Sequence, residues 1–132
     1  LTKTTPTYVH FFDKLASYSA WVYNTSMPYC VNAICHADDL PFIFNPFHAP
    51  LPAGLNPPMP TQAELELTTF MQTVWGNFAR TGNPNPLPGG IEFPRFNGTT
   101  HVMMNYSTPS SLLAGYRDSY CDFWDTIGYY RY

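Results

Sequence analysis

Proline decides where this chain can be regular. Of its 14 prolines, six fall between residues 45 and 60: Pro46, Pro50, Pro52, Pro57, Pro58 and Pro60. Proline lacks a backbone donor and fixes φ, so that segment forms neither an ordinary helix nor a central strand. It reads as an irregular surface connection, a lid or mouth segment. The clearest helix starts directly after it, over Thr61 to Arg80. Thr61 is placed to cap it, with Glu64 three residues on to complete a capping box. Glu66 adds favourable charge near the start. Leu67, Phe70, Met71, Val74, Trp75 and Phe78 recur at helical spacing on one face. Burying all six contributes on the order of 10–15 kcal/mol gross, before entropy is subtracted. Gly82 and Pro84 stop the helix.

The other elements are short. Tyr8 to Phe12 is expected to be a buried strand, and residues 15 to 29 a loop. Leu40, Phe42, Ile43 and Phe44 suit a short buried turn or helix. Residues 81 to 96 are again rich in proline and glycine. Val102 to Tyr106 reads as an edge strand, and residues 107 to 112 as its connection to a last helix from about Leu113 to Ile127. In that helix Tyr116, Tyr120, Phe123, Trp124 and Ile127 share a face, Cys121 lies beside it, and Gly128 ends it.

Charge narrows the function classes. The net charge is −3 and the six Lys and Arg are scattered, so a surface for nucleic acid is not expected. Only 11% of residues are charged, against about 25% in an average soluble domain. Such a bare surface implies cover, and hence a piece of a larger protein. There is no run of 18 apolar residues to span a membrane. Three sequons, at Asn24, Asn97 and Asn105, point to the secretory pathway as candidate glycosylation sites.

Chemistry concentrates in residues 30 to 44. Cys30 and Cys35 are close enough in sequence for a local disulfide, and closing that loop is worth about 2 kcal/mol. Cys121 is left over, and an odd cysteine in a secreted chain implies a partner elsewhere. His36 is the candidate base, on a loop that the disulfide would steady. The competing reading is an ordinary loop histidine. His10, His48 and His101 fit a structural role better. Cys30, Cys35 and His36 lack zinc-ribbon spacing and a second cysteine pair, so no metal site is assigned. Asp38 and Asp39 are adjacent and point apart, unlike the spaced pair that glycoside hydrolysis needs. No G-x-S-x-G elbow and no phosphate loop is present. The residues alone therefore supply a base without a nucleophile.

Four stretches together resemble the C-terminal part of the type-B carboxylesterase/cholinesterase-like family. Tyr8-Val9-His10-Phe11-Phe12 resembles its late sheet strand. Cys35-His36-Ala37-Asp38-Asp39-Leu40-Pro41-Phe42-Ile43-Phe44 resembles the motif His-Gly-x-Glu-Leu-Pro-Phe-x-Phe. Trp75-Gly76-Asn77-Phe78-Ala79-Arg80-Thr81-Gly82-Asn83-Pro84-Asn85 resembles Trp-x-Asn-Phe-Ala-x-x-Gly-Asn-Pro, and Cys121-Asp122-Phe123-Trp124 resembles Cys-x-Phe-Trp.

The resemblance implies an α/β fold, with residues 1–132 forming the C-terminal fragment of a single α/β-hydrolase domain. It implies ester hydrolysis by a Ser-His-Glu/Asp triad without cofactor, His36 being the catalytic histidine. Serine, oxyanion hole and triad acid would come from the N-terminal remainder of the protein, and the substrate would be a small-molecule or lipid ester. Asp39 matches an acidic residue that belongs to a hydrogen-bond network near the nucleophile. Ala37 stands where the family has glycine. Cys30–Cys35 resembles a local bridge of some members, and Cys121 matches a cysteine paired upstream, outside this chain. The isolated chain is expected to be inert. The alternative is a non-catalytic adhesion or structural relative, distinguished by the residue at the missing elbow.

Overall fold

The expected capping box organises the structure. The computed structural model describes residues 5–23, 26–48, 53–54 and 56–128. Its longest helix, Gln62–Thr81, is preceded by Thr61, whose hydroxyl accepts from the Glu64 amide while the Glu64 carboxylate accepts from the Thr61 amide. Gly82, at φ 72°, closes the other end, its amide donating to the Phe78 carbonyl. A left-handed residue turns the chain off a helix, and glycine takes that conformation without a Cβ clash.

The elements, in chain order, are β1 (His10–Phe12), α1 (Ser19–Tyr23), α2 (Leu40–Phe44), α3 (Gln62–Thr81), β2 (Val102–Tyr106), β3 (Ser111–Ala114) and α4 (Asp118–Thr126). Short 3-10 turns occupy Pro28–Cys30, Pro46–His48 and Pro88–Gly90. β2 is the middle strand of three. It runs parallel to β1, with His10 opposite Met104, and antiparallel to β3, with Met104 opposite Leu112. α3 lies in the long crossover between the two parallel strands, the connection that parallel pairing requires.

Alternation in β2 sends Met104 and Tyr106 into the core, where both are fully buried. They share one cluster with Leu67, Met71 and Val74 of α3, Phe42 of α2, and Tyr18, Leu87 and Phe93 from the connections. Phe42 anchors α2, its ring 5.3 Å from that of Phe12.

Several expectations need correcting. Residues 15 to 29 are not all loop, since they hold α1 and a 3-10 turn. The strand expected over Tyr8 to Phe12 pairs only at His10–Phe12. β2 is central rather than an edge, because Ser111–Ala114, expected as the end of a connection and the start of the last helix, is a strand that pairs with it. That helix spans only Asp118–Thr126. Gly115 and Arg117, at φ 63° and 59°, break the helical path the aromatic spacing implied. The expected face of Tyr120, Phe123, Trp124 and Ile127 is exposed. In α3, Trp75 and Phe78 remain 40% and 44% exposed, so the gross burial is smaller than the six-residue sum.

α4 is joined to the body at its first residue. His101 Nδ1 lies 2.9 Å from Asp118 Oδ1 and Nε2 lies 3.0 Å from the Gly98 carbonyl. Both partners are acceptors, so only the doubly protonated ring satisfies both. The ring stacks on Phe96 at 5.8 Å. The bond to Asp118 is the largest influence on His101 and raises its pKa, with Asp122 acting in the same direction and desolvation against it. The contribution to stability is therefore fully present below the unfolded pKa, about 6.5, and fades as pH rises through the higher folded value. In an NMR titration Asp118→Asn should return the His101 midpoint towards 6.5. A midpoint that does not move would refute the pairing.

Candidate active site

His36 sits on a loop fastened at both ends. Upstream, the turn at Pro28–Cys30 buries Cys30, whose carbonyl accepts from the Ser19 hydroxyl at 3.2 Å. The Cys30–Cys35 disulfide closes the loop across a Cα–Cα distance of 5.8 Å. Downstream, α2 begins four residues after His36 and is held by buried Phe42. Pro41 suits its first turn, where the missing donor costs nothing. Asn45, at φ 46°, ends it, its amide donating to the Pro41 carbonyl.

Between these anchors the imidazole is exposed. Among the described residues it has no hydrogen bond, ion pair or ring contact. A base for an outside nucleophile needs this access. Ala37, next along, has φ 72°. That conformation costs a Cβ-bearing residue about 1 kcal/mol, which accounts for glycine at this place in the motif the chain resembles. The neighbouring carboxylates diverge. Asp38 Oδ2 accepts from the Cys35 amide at 2.7 Å, and Oδ1 accepts from the Tyr23 hydroxyl. That bond, burial and the carboxylate's charge push Tyr23 up to about 12. Asp39 precedes α2 without a capping hydrogen bond. Its charge acts on His10, whose pKa is lowered by desolvation and only partly restored by Asp39. The His10 ring lies 5.0 Å from Tyr106 and 5.9 Å from Trp75, a packing role.

The remaining candidates are scattered. The thiol of Cys121 is exposed on α4 and unpaired in this chain. Asn24 lies outside the described residues. Asn97 is exposed, its Oδ1 accepting from the Thr99 and Thr100 amides at 2.9 and 2.8 Å, while its amide nitrogen makes no hydrogen bond among the described residues. Asn105 is half-buried in β2, and its nitrogen donates to the Ser107 hydroxyl. A groove of about 780 Å³ runs along α3 beside Pro88, Ile91 and Pro109, and neither His36 nor either aspartate lines it. Among the described residues no group of three His, Cys, Asp or Glu could hold a metal ion. Nor is any described helix long and apolar enough to cross a membrane.

The sequence profile described as "Carboxylesterase family" matches residues 1–124, and so takes in the whole fastened loop. The chain belongs to the carboxylesterase family. It is 32% identical to the acetylcholinesterase of Gallus gallus over 119 residues, covering 89% of this chain and 14% of that protein. It is 33% identical to the acetylcholinesterase of Danio rerio over 125 residues, covering 89% of this chain and 18% of that one. The chain thus spans less than a fifth of the length of these relatives. The crystal structure of a Geobacillus stearothermophilus carboxylesterase superposes with a TM-score of 0.62 at 24% identity, covering 89% of this chain and 21% of that one. At that identity the likeness concerns the fold, which is the α/β-hydrolase fold of esterases. Sequence reasoning missed the role of Asp38, because its partners Tyr23 and Cys35 are recruited by tertiary folding.

Proposed function

We propose that this chain is one part of a serine esterase and supplies the histidine of its triad. The observation that carries the reading is His36: exposed, without a hydrogen bond, ion pair or ring contact among the described residues, and set on a loop fastened within the family's matching segment. The larger protein supplies the serine, the oxyanion hole and the triad acid. His36 accepts the proton of the serine hydroxyl as that oxygen attacks the ester carbonyl, then gives it to the departing alcohol. Water then attacks the acyl-enzyme, His36 takes its proton, and the acid leaves as serine is regenerated. Asp39 belongs to the polar surroundings of the nucleophile. No cofactor takes part in this scheme. The substrate is a small-molecule or lipid ester.

Residues 1–132 then form the C-terminal fragment of a single hydrolase domain, and Cys121 pairs with a cysteine of the remainder. The local disulfide suits a secretory compartment, and Asn97 is the sequon best presented for a glycan. The test is a p-nitrophenyl ester assay run with a serine-directed phosphonate. The full-length protein should turn over and be inactivated in a time-dependent way, while the isolated 132-residue chain does neither. Full-length protein that neither hydrolyses nor reacts would refute the reading, as would a free chain that hydrolyses the ester.

A further inference from the structure

Among the described residues the imidazole of His36 makes no hydrogen bond, ion pair or ring contact, so its position is inherited from the backbone on either side. The preceding residue is tethered twice. Cys35 is bound through sulfur to Cys30 and through its amide to Asp38 Oδ2 at 2.7 Å. The carboxylate making that second bond is itself fixed, because Oδ1 accepts from the hydroxyl of buried Tyr23. Tyr23 ends α1, and Ser19 at the other end of α1 donates to the Cys30 carbonyl at 3.2 Å. One short helix therefore grips both halves of the disulfide loop, with Asp38 as the link on the His36 side. The Asp38 amide also donates to the Cys35 carbonyl at 3.3 Å, closing a tight turn around His36.

We infer that Asp38 is a positioning residue for His36, holding the Cys35–Asp38 turn against α1 through Tyr23. The inference rests on the proposed role of His36 as base. A carboxylate that accepts two donors at once fixes a turn more firmly than either bond alone. Displacement of a catalytic group by about 1 Å costs on the order of 10²-fold in rate. Both carboxylate oxygens of Asp38 are engaged by Tyr23 and Cys35, so its loss should act through the placement of His36, on turnover rather than on ester binding.

The experiment uses the full-length enzyme, with active sites counted by phosphonate titration so that misfolded molecules drop out. Asp38→Asn should lower kcat per titrated site by about 10- to 100-fold with KM within about twofold of wild type. Tyr23→Phe should lower kcat by about 3- to 10-fold, and the double variant should be no worse than Asp38→Asn, as for two members of one chain of bonds. Should Asp38→Asn fail to fold, Tyr23→Phe carries the same test, since it keeps the buried ring. A purely structural role would reduce the number of titratable sites and leave kcat per site unchanged, which would overturn the inference. His36→Ala is measured alongside. Loss in His36→Ala with none in the Asp38 and Tyr23 variants overturns the positioning role alone. Near-normal turnover in His36→Ala overturns the base assignment and the positioning role with it.

Discussion

Alanine in place of His36 in the full-length protein should lower kcat by on the order of 10⁴-fold or more, with KM little changed. Without the imidazole, the serine hydroxyl must lose its proton to water, and the leaving alkoxide must depart unprotonated. What remains is the contribution of binding and of the oxyanion donors. The structure keeps this result easy to interpret. The ring is exposed and makes no hydrogen bond, ion pair or ring contact among the described residues, so its removal should shift stability by no more than about 0.5 kcal/mol. Steady-state kinetics per mole of folded protein, beside a thermal melt, separates the two effects. A variant that melts normally and turns over within about tenfold of wild type would show that His36 is not the base.

The second large effect concerns Glu64, which is fully buried. Its carboxylate accepts from the Ser17 amide at 2.6 Å, the Ser17 hydroxyl at 2.7 Å, the Thr61 amide at 2.7 Å and the Thr61 hydroxyl at 2.8 Å. Lys14 lies 3.7 Å away. One side chain thus caps α3 and staples it to the segment before α1. Burial alone would raise the pKa, but the bonds to Ser17 and Thr61 outweigh it and hold the group below the usual carboxylate range. Glu64→Ala strands these donors and should cost about 1–3 kcal/mol. Because the folded pKa is depressed, the contribution is complete above the unfolded value. It disappears as pH falls through the folded value. Denaturant melts of wild type and Glu64→Gln from about pH 7 to pH 3 should therefore converge at the acid end. A difference that stays constant across that range would mean that Glu64 carries no buried charge.

Glu64 also marks the limit of local reading. Its capping partner Thr61 is three residues away and was expected from the pattern alone. Its other partner, Ser17, is 47 residues away and was not. The same division runs through the site. The disulfide and the short helix after the histidine follow from residues close in sequence. In the sequence Asp38 is only one of two adjacent carboxylates, and it is a clamp because folding places Tyr23 beside it.

Sequence by itself determined the long helix and the disulfide loop, because capping, periodicity and short-loop closure act over a few residues, and its motifs pointed to the family; Pro50 and Pro52 of the proline-rich segment lie outside the described residues. Tertiary structure alone decided that Val102–Tyr106 is the central strand. It also decided that Ser111–Ala114 is a strand and that the aromatic face of α4 lies open. The physical reason is pairing. Leu112 and Leu113 carry no strong local preference for strand over helix, and their backbone groups were committed by a neighbouring strand that needed partners on both sides.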